Sequence, residues 1–410
     1  MQLLRLSLTN FRSFSRMEMD IPGRVIILTG SNAQGKTSIL EAVAFLASFR
    51  SQHATQDREL LNFNLTPEAL MVGRIVGEFQ KAGRRHTLEV RLISEANHNL
   101  AAPRFRKEIL LDGVKKRPSE LYGKFNAVGF FPQMSRIIEG PPSERRRFLD
   151  DALSQVEPGY ARHLVDYSKS LSQRNALLKS LFERGGDVKH LSVWDEAVAR
   201  HGAEVMRARI RFMKDLEQIA RPIHSELTGE KEILRLNYQP SYEPLPSPKG
   251  QLTLVQSPVD RSGLDIETLE NGFKSALKSA YQQDIARGMT TVGPHRDEFR
   301  VLVNKVDLGL YGSRGQMRTA LLAMKFAEVE WMKNRTGEWP VLLLDEIMAE
   351  LDTTRRRDLL RVVSKVEQAL LTSTDPDMFE PAFLDAHEIW KVQNGMVTRL
   401  IKNGSNAENQ

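Results

Sequence analysis

The run Gly30-Ser31-Asn32-Ala33-Gln34-Gly35-Lys36-Thr37 constrains this chain more than any other feature. The apolar stretch Val25-Ile26-Ile27-Leu28 before it predicts a buried strand. Ile39, Leu40, Val43, Leu46 and Ala47 after it stand at helical spacing. Strand, glycine-rich turn and helix form the setting in which backbone N–H groups turn inward around phosphates and the helix points its positive end at them. There Lys36 reaches the β- and γ-phosphates, the Thr37 hydroxyl holds Mg²⁺, and Ser38 completes the binding run. Without its flanks the pattern would fit an ordinary glycine turn. With them it predicts a nucleoside triphosphate site.

A second element points the same way. Val341-Leu342-Leu343-Leu344-Asp345-Glu346 reads as a short apolar strand ending in two carboxylates. Asp345 is placed to ligate Mg²⁺ where open α/β sheets hold their ligands, and Glu346 to orient and polarise an attacking water. A third element, Ser313-Arg314-Gly315-Gln316-Met317-Arg318, opens a segment with Leu321, Met324, Ala327 and Trp331 on one helical face. A serine and a glycine at a helix N-terminus offer a hydroxyl and free N–H groups, a second anion site. A γ-phosphate needs one such site per chain, so the spare suggests use in trans. Two copies facing head to tail would each place Ser313, Gly315 and Gln316 on the nucleotide held by the other's Lys36, an interface that closes with nucleotide and loosens after hydrolysis.

These residues resemble the RecF recombination and repair proteins, compact relatives of the SMC and Rad50 head ATPases. The resemblance covers nearly the whole chain. It rests on Leu8-Thr9-Asn10-Phe11-Arg12-Ser13-Phe14, the phosphate loop, Gly140 to Asp150 (GPPSERRRFLD), Gln173-Arg174-Asn175, Gly293-Pro294-His295-Arg296-Asp297, the Ser313 element, and Asp345-Glu346 with Ala349-Glu350-Leu351-Asp352. It implies an α/β, ABC-type ATPase head with a mixed sheet and an inserted helical arm lobe, with ATP and Mg²⁺ as cofactors. Arg12 and Asp352 join the nucleotide-binding set by the same resemblance. It further implies recognition of double-stranded and single-stranded or gapped DNA and of junctions, an ATP-dependent homodimer, RecO and RecR mediators as partners, and help in loading RecA recombinase. Two positions depart from the family: Gln133 stands where glutamate is usual, and Glu346 where aspartate is. Gln133 looks like the wider superfamily, in which that residue touches Mg²⁺ and the attacking water. The segment Leu371-Thr372-Ser373-Thr374-Asp375 lacks the histidine of many transporters.

At 410 residues the chain is too long for one ordinary core. The expected division is 1–142 for the first half of the ATPase lobe, 143–288 for the arm, 289–402 for the second half and 403–410 for a disordered tail. The first stretch should carry short strands, one helix after Lys36 and a hairpin from Glu108 to Lys116 turning at Asp112-Gly113. Long helices are expected from Ser143 to about Leu236, broken at Gly185-Gly186 and Arg221-Pro222, followed by an irregular proline-rich crossing over 239–262. No sustained heptad appears, so the arm should be short. There are no cysteines, which excludes disulfides and thiolate chemistry. No apolar stretch approaches a membrane span, so a cytoplasmic location and no membrane partner are expected.

Lys plus Arg number 58 against 52 Asp plus Glu, an excess too modest to imply nucleic acid by itself. Clusters are more informative: Arg145-Arg146-Arg147, Arg355-Arg356-Arg357, Lys115-Lys116-Arg117, and Arg200, Arg207, Arg211 and Lys214 on one helical face. Any one of them can be a solvated face with acids nearby. With no zinc-finger or helix-turn-helix signature, backbone contact without sequence readout is the expected mode. Two other classes fit parts of the pattern: a transporter-type ATPase subunit, and a head that binds ATP only as a clamp. The gap of about 275 residues between Thr37 and Ser313 argues against the first, and the paired Asp345 and Glu346 against the second.

Overall fold

The computed structural model describes residues 1–64, 70–95, 103–245 and 259–400. Chain contacts divide them into two compact units: Met1–Pro132 with Thr336–Gln410, and Gln133–Arg335.

The first unit holds two sheets. One is antiparallel, in the order β2-β1-β4-β5-β6-β7, from β1 (Gln2–Phe11), β2 (Phe14–Asp20), β4 (Leu70–Lys81), β5 (Arg84–Glu95), β6 (Arg104–Leu111) and β7 (Val114–Lys116). The other runs β15-β14-β3-β13-β12-β8, from β3 (Val25–Thr29), β8 (Ala127–Phe130), β12 (Val341–Asp345), β13 (Ala369–Ser373), β14 (Glu388–Gln393) and β15 (Met396–Leu400). It is parallel from β14 to β8, and β15 closes its edge as an antiparallel hairpin. Every residue of β3, β12 and β13 is buried, as expected for parallel strands covered on both faces. The helix Lys36–Ser48 meets β4 and β5 of one sheet and β8, β12 and β13 of the other. Its sequence, apolar nearly all round, suits that position. The one acid inside it, Glu41, is buried and takes both ends of the Arg12 guanidinium at 2.8 Å.

The second unit packs the helices Pro142–Val156, Tyr160–Arg184, Leu191–Leu227, Ile266–Ser279 and Arg314–Thr336 around a small antiparallel sheet of β9 (Leu234–Gln239), β10 (Glu298–Val303) and β11 (Val306–Asp307). Its core sets Phe212 edge-on to Trp331, ring centroids 4.4 Å apart, with Phe148 between Phe212 and Phe299. A polar core lies beside it. Arg174, fully buried, reaches Asp195 at 2.7 Å and Asp284 at 2.6 Å, while Arg209 reaches Asp150 at 2.7 Å and the Pro294 carbonyl at 2.7 Å. The two motifs containing Arg174 and Pro294 thus tie the arm helices to the chain leading into β10.

Several expectations are corrected here. Residues 289–335 belong to the helical unit and not to the second half of the ATPase lobe, because β10 pairs with β9 and the helix Arg314–Thr336 buries Trp331 against Phe212. The stretch expected to be helical to Leu236 turns into β9 at Leu234. Pro222 does not break its helix, which runs on to Leu227 with Ala220 and His224 buried on either side of it. Before residue 140 there are short helices at Pro118–Leu121 and Arg136–Glu139 as well as the one after Lys36. The hairpin turn is as read, with Asp112 and Gly113 both at positive φ, 52° and 79°. Pro246, Pro248 and Pro258 of the proline-rich crossing and the tail 403–410 lie outside the described residues.

His295 sits in the polar core. Its Nε2–H donates to the Thr290 carbonyl at 3.1 Å, so Nδ1 is left to accept the Tyr167 hydroxyl at 2.6 Å. Burial, foremost, lowers its pKa from 6.5 to about 4. The unfolded chain therefore takes up this proton first, and stability falls as pH drops below about 6.5 until about 4, by ~3 kcal/mol in all. Urea unfolding of the protein and of His295→Asn across that range should show this component only in the unmodified protein. Parallel pH profiles would exclude it.

Candidate nucleotide site

The phosphate loop leaves β3 and returns as the helix Lys36–Ser48. Two of its glycines are obligatory. A Cβ on Gly30, at φ 151°, would lie 2.3 Å from the Val392 carbonyl oxygen. A Cβ on Gly35, at φ 104°, would lie 2.8 Å from the Phe14 ring. Ala33 also takes positive φ, 63°, a backbone curl of the kind that turns successive N–H groups toward an anion. Ser31, Asn32 and Ala33 are exposed on its rim, and Gln34 is turned aside, its Oε1 accepting Asn394 N–H at 2.7 Å. Lys36 is buried and donates to the carbonyls of Gly30 and Ser31 at 2.7 and 3.0 Å.

Parallel pairing carries the carboxylates to this loop. β13 lies between β3 and β12, and all three end at the same edge. Thr37 Oγ1 stands 3.0 Å from both oxygens of Asp345, across 308 positions of sequence. Glu346 follows at φ 51°, a left-handed conformation unusual for glutamate. Its Oε1 lies 3.1 Å from Lys36 Nζ and its Oε2 accepts Thr374 N–H at 3.1 Å. Burial pushes the Asp345 carboxyl up from its ordinary range, against hydrogen bonds from Thr372 and Thr37 that pull it down. A hydroxyl, a carboxylate and a curled loop have the donor chemistry that a magnesium–nucleotide complex requires, and Thr37 and Asp345 could hold the metal with Lys36 on the phosphates. Bound there, Mg²⁺ would supply the charge that offsets the phosphate oxygens.

Three contributors were missed by sequence reasoning. Thr372 donates to Asp345 at 2.7 Å and accepts Glu346 N–H at 2.9 Å, fixing both carboxylates at once. Thr374 holds Glu346. His53 bears electrostatically on Asp345, and its buried Nε2 has no hydrogen-bond partner among the described residues. Hydroxyls at the C-terminal end of an apolar strand were the available signal.

Other expected site residues are placed differently. The Arg12 donors go to Glu41 and to the Glu59 carbonyl at 3.1 Å, which makes it a brace of the loop helix. Asp352 caps the helix Thr353–Val363, accepting Arg355 N–H at 2.9 Å. Gln133 is exposed in a turn three residues past β8. Ser313 and Gly315 are exposed at the start of the helix Arg314–Thr336, in the second unit. Of the basic clusters, Arg145 is withdrawn from the surface by Glu298 and by the carbonyls of Ile138 and Gly140. Arg200, Arg211, Lys116, Arg117 and Arg357 are exposed.

Fold and site together define an ABC-type ATPase head. A model of the family described as RecF/RecN/SMC N terminal domain matches residues 2–398. The chain is 36% identical over 408 residues to the DNA replication and repair protein RecF of Herpetosiphon aurantiacus, covering 97% of this chain and 99% of that relative. It is 32% identical over 413 residues to the protein of the same name from Natranaerobius thermophilus, covering 100% of both. Among solved structures, the recombination mediator protein RecF with ATP, of the RecFOR pathway, is similar at a TM-score of 0.81 and 29% identity over 97% of each chain. An SMC head bound to the C-winged helix domain of ScpA, at a TM-score of 0.51 and 15% identity over 98% and 97% of the two chains, shares the fold. The chain belongs to the RecF/RecN/SMC family, among its RecF members.

Thr372→Val keeps the side-chain shape and removes the hydroxyl that fixes both carboxylates. Magnesium-dependent ATP binding, measured by equilibrium titration, should weaken about 10–100-fold. Ser373→Ala, whose hydroxyl donates to the Asp375 carbonyl and accepts Asp375 N–H, away from both carboxylates, should leave it unchanged.

Proposed function

We propose that this protein is a DNA-dependent ATPase of recombinational repair and replication restart, using slow ATP hydrolysis with Mg²⁺ to time its hold on DNA. The observation that carries the reading is the cluster Lys36, Thr37, Asp345 and Glu346, assembled within 3.1 Å contacts at one end of a parallel sheet in a chain of the RecF family. In this reading Lys36 and Thr37 bind the nucleotide with Asp345 on the metal side, and Glu346 accepts the proton of the attacking water. Ser313, Gly315 and Gln316 complete the site of a second copy, making a nucleotide-dependent homodimer. The exposed cations Arg200, Arg211, Lys116, Arg117 and Arg357 are candidates for contacting phosphates of double-stranded or gapped DNA without reading sequence. RecO- and RecR-type mediators would be its protein partners, as the pathway named for its structural relative suggests. No described helix is long and apolar enough to cross a membrane.

A transporter subunit would release phosphate at the same rate with or without duplex DNA, and a pure clamp would release none. In the proposed reading DNA accelerates release, and binding weakens with salt at a log–log slope of about −0.9 per phosphate neutralised.

Glu346→Gln keeps the contact with Thr374 but cannot take a proton. Turnover should fall ~10²–10⁴-fold while ATP binding persists, so the dimer accumulates on DNA. Near-normal phosphate release would move the role to Gln133 or the Asp352 turn.

Ser313→Arg should block ATP-driven dimerisation, read by sedimentation, without lowering the ATP affinity of the dilute monomer. Loss of monomer affinity would mean that the element acts in cis.

A further inference from the structure

Ser313, which opens the element read above as a second anion site (the signature element), is already engaged within its own chain. Ser313 precedes the helix Arg314–Thr336; its Oγ accepts Gln316 N–H at 3.2 Å, and Gln316 Oε1 accepts Ser313 N–H at 3.1 Å. This is a reciprocal capping box. With its lone pair facing Gln316 N–H, the Ser313 hydroxyl keeps its proton free to donate outward, the orientation that an incoming phosphate requires.

The box closes only if the Gln316 amide faces one way. Turned over, its Nε2 would face Ser313 N–H, donor against donor. Glu232 prevents this. Its Oε1 accepts Gln316 Nε2 at 2.8 Å, and a carboxylate, having no proton to give, can face only the NH₂ end of the amide. The loop that presents Glu232 is itself fixed. It leaves the long helix through Gly229 and Glu230, at φ 60° and 61°, with Glu230 N–H on the Ser225 carbonyl at 2.8 Å. It is pinned one residue later by Ile233 N–H on Asn304 Oδ1 at 2.9 Å and by the returning bond from Asn304 N–H to the Ile233 carbonyl at 3.0 Å. His224, fully buried below, comes no closer than 3.7 Å to Glu232 Oε2, and neither ring nitrogen has a hydrogen-bond partner among the described residues. Gln316 therefore supplies the short hydrogen bond to the carboxylate, with His224 beside its other oxygen.

We propose that Glu232 is a positioning residue for the signature element: it orients the Gln316 amide, keeps the capping box closed, and thereby presents the Ser313 hydroxyl as a donor to the terminal phosphate of a nucleotide bound by a second copy. This rests on the reading of Ser313 as acting in trans.

The test uses the full-length protein with Mg²⁺ and a non-hydrolysable β,γ-imido ATP analogue. It records nucleotide affinity at low protein concentration and dimerisation by sedimentation velocity. Glu232→Ala should raise the protein concentration needed for dimerisation about tenfold or more, the loss expected for a charge-assisted hydrogen bond. Monomer nucleotide affinity should be unchanged, and Glu232→Gln, which keeps an acceptor oxygen, should restore most of the dimerisation. Three results would overturn the proposal. One is dimerisation at the normal concentration in Glu232→Ala while Ser313→Arg stays monomeric, which leaves the signature reading intact. Another is tighter dimerisation in both Glu232 variants, which would make the carboxylate a source of repulsion. The third is equal loss of monomer nucleotide affinity, which would make its role structural. Normal dimerisation by Ser313→Arg would instead remove the reading on which the proposal rests.

Discussion

The contact between Thr37 Oγ1 and Asp345, 3.0 Å long and 308 residues apart in sequence, is the interaction on which the site depends. It exists because β13, a late strand, inserts between β3 and β12 and brings their C-terminal ends to one edge. A loop that curls around an anion and a carboxylate that suits a metal are separately common. Held at this distance beside a buried lysine, they make one site. Thr372, on the intervening strand, then has a hydroxyl within reach of both Asp345 and the backbone of Glu346. The strand that joins the two halves of the site also sets its geometry.

The same economy appears in the helix after Lys36. Covered by two sheets, it cannot carry an unpaired acid, and Glu41 is matched by Arg12 from the turn after the first strand. Arg12 therefore helps the loop by holding its helix. In the helical unit, the paired networks of Arg174 and Arg209 join residues far apart in sequence and tie its helices to the segment 290–294. Each unit thus presents one polar device on a fixed scaffold: a phosphate cradle in the first and an exposed helix cap in the second.

Much of this was legible in the sequence because its signals are steric. Gly30 and Gly35 tolerate no Cβ, and the apolar runs of β3 and β12 read as buried strands. What was not legible depended on partners distant in sequence. Arg145 looks like part of a basic surface until Glu298, 153 residues later, withdraws it into the structure. Pro222 looks like a helix end, but packing on both sides of it carries the helix through. Thr372 and Thr374 look like ordinary polar residues after a strand until parallel pairing sets them beside Asp345 and Glu346. Residues 289–335 looked continuous with the strand that follows them, whereas the pairing of β10 with β9 assigns them to the helical unit.

The central claim is that a working site takes its phosphate loop from one copy and its Ser313 element from another. Mixing Lys36→Met protein, which retains the signature, with Ser313→Arg protein, which retains the loop, tests it most directly. Neither variant alone should hydrolyse ATP on DNA. The mixture should recover phosphate release, with a maximum near equal proportions, because one complete site forms in each mixed dimer. Activity equal to the weighted sum of the separate proteins at every ratio would contradict the account.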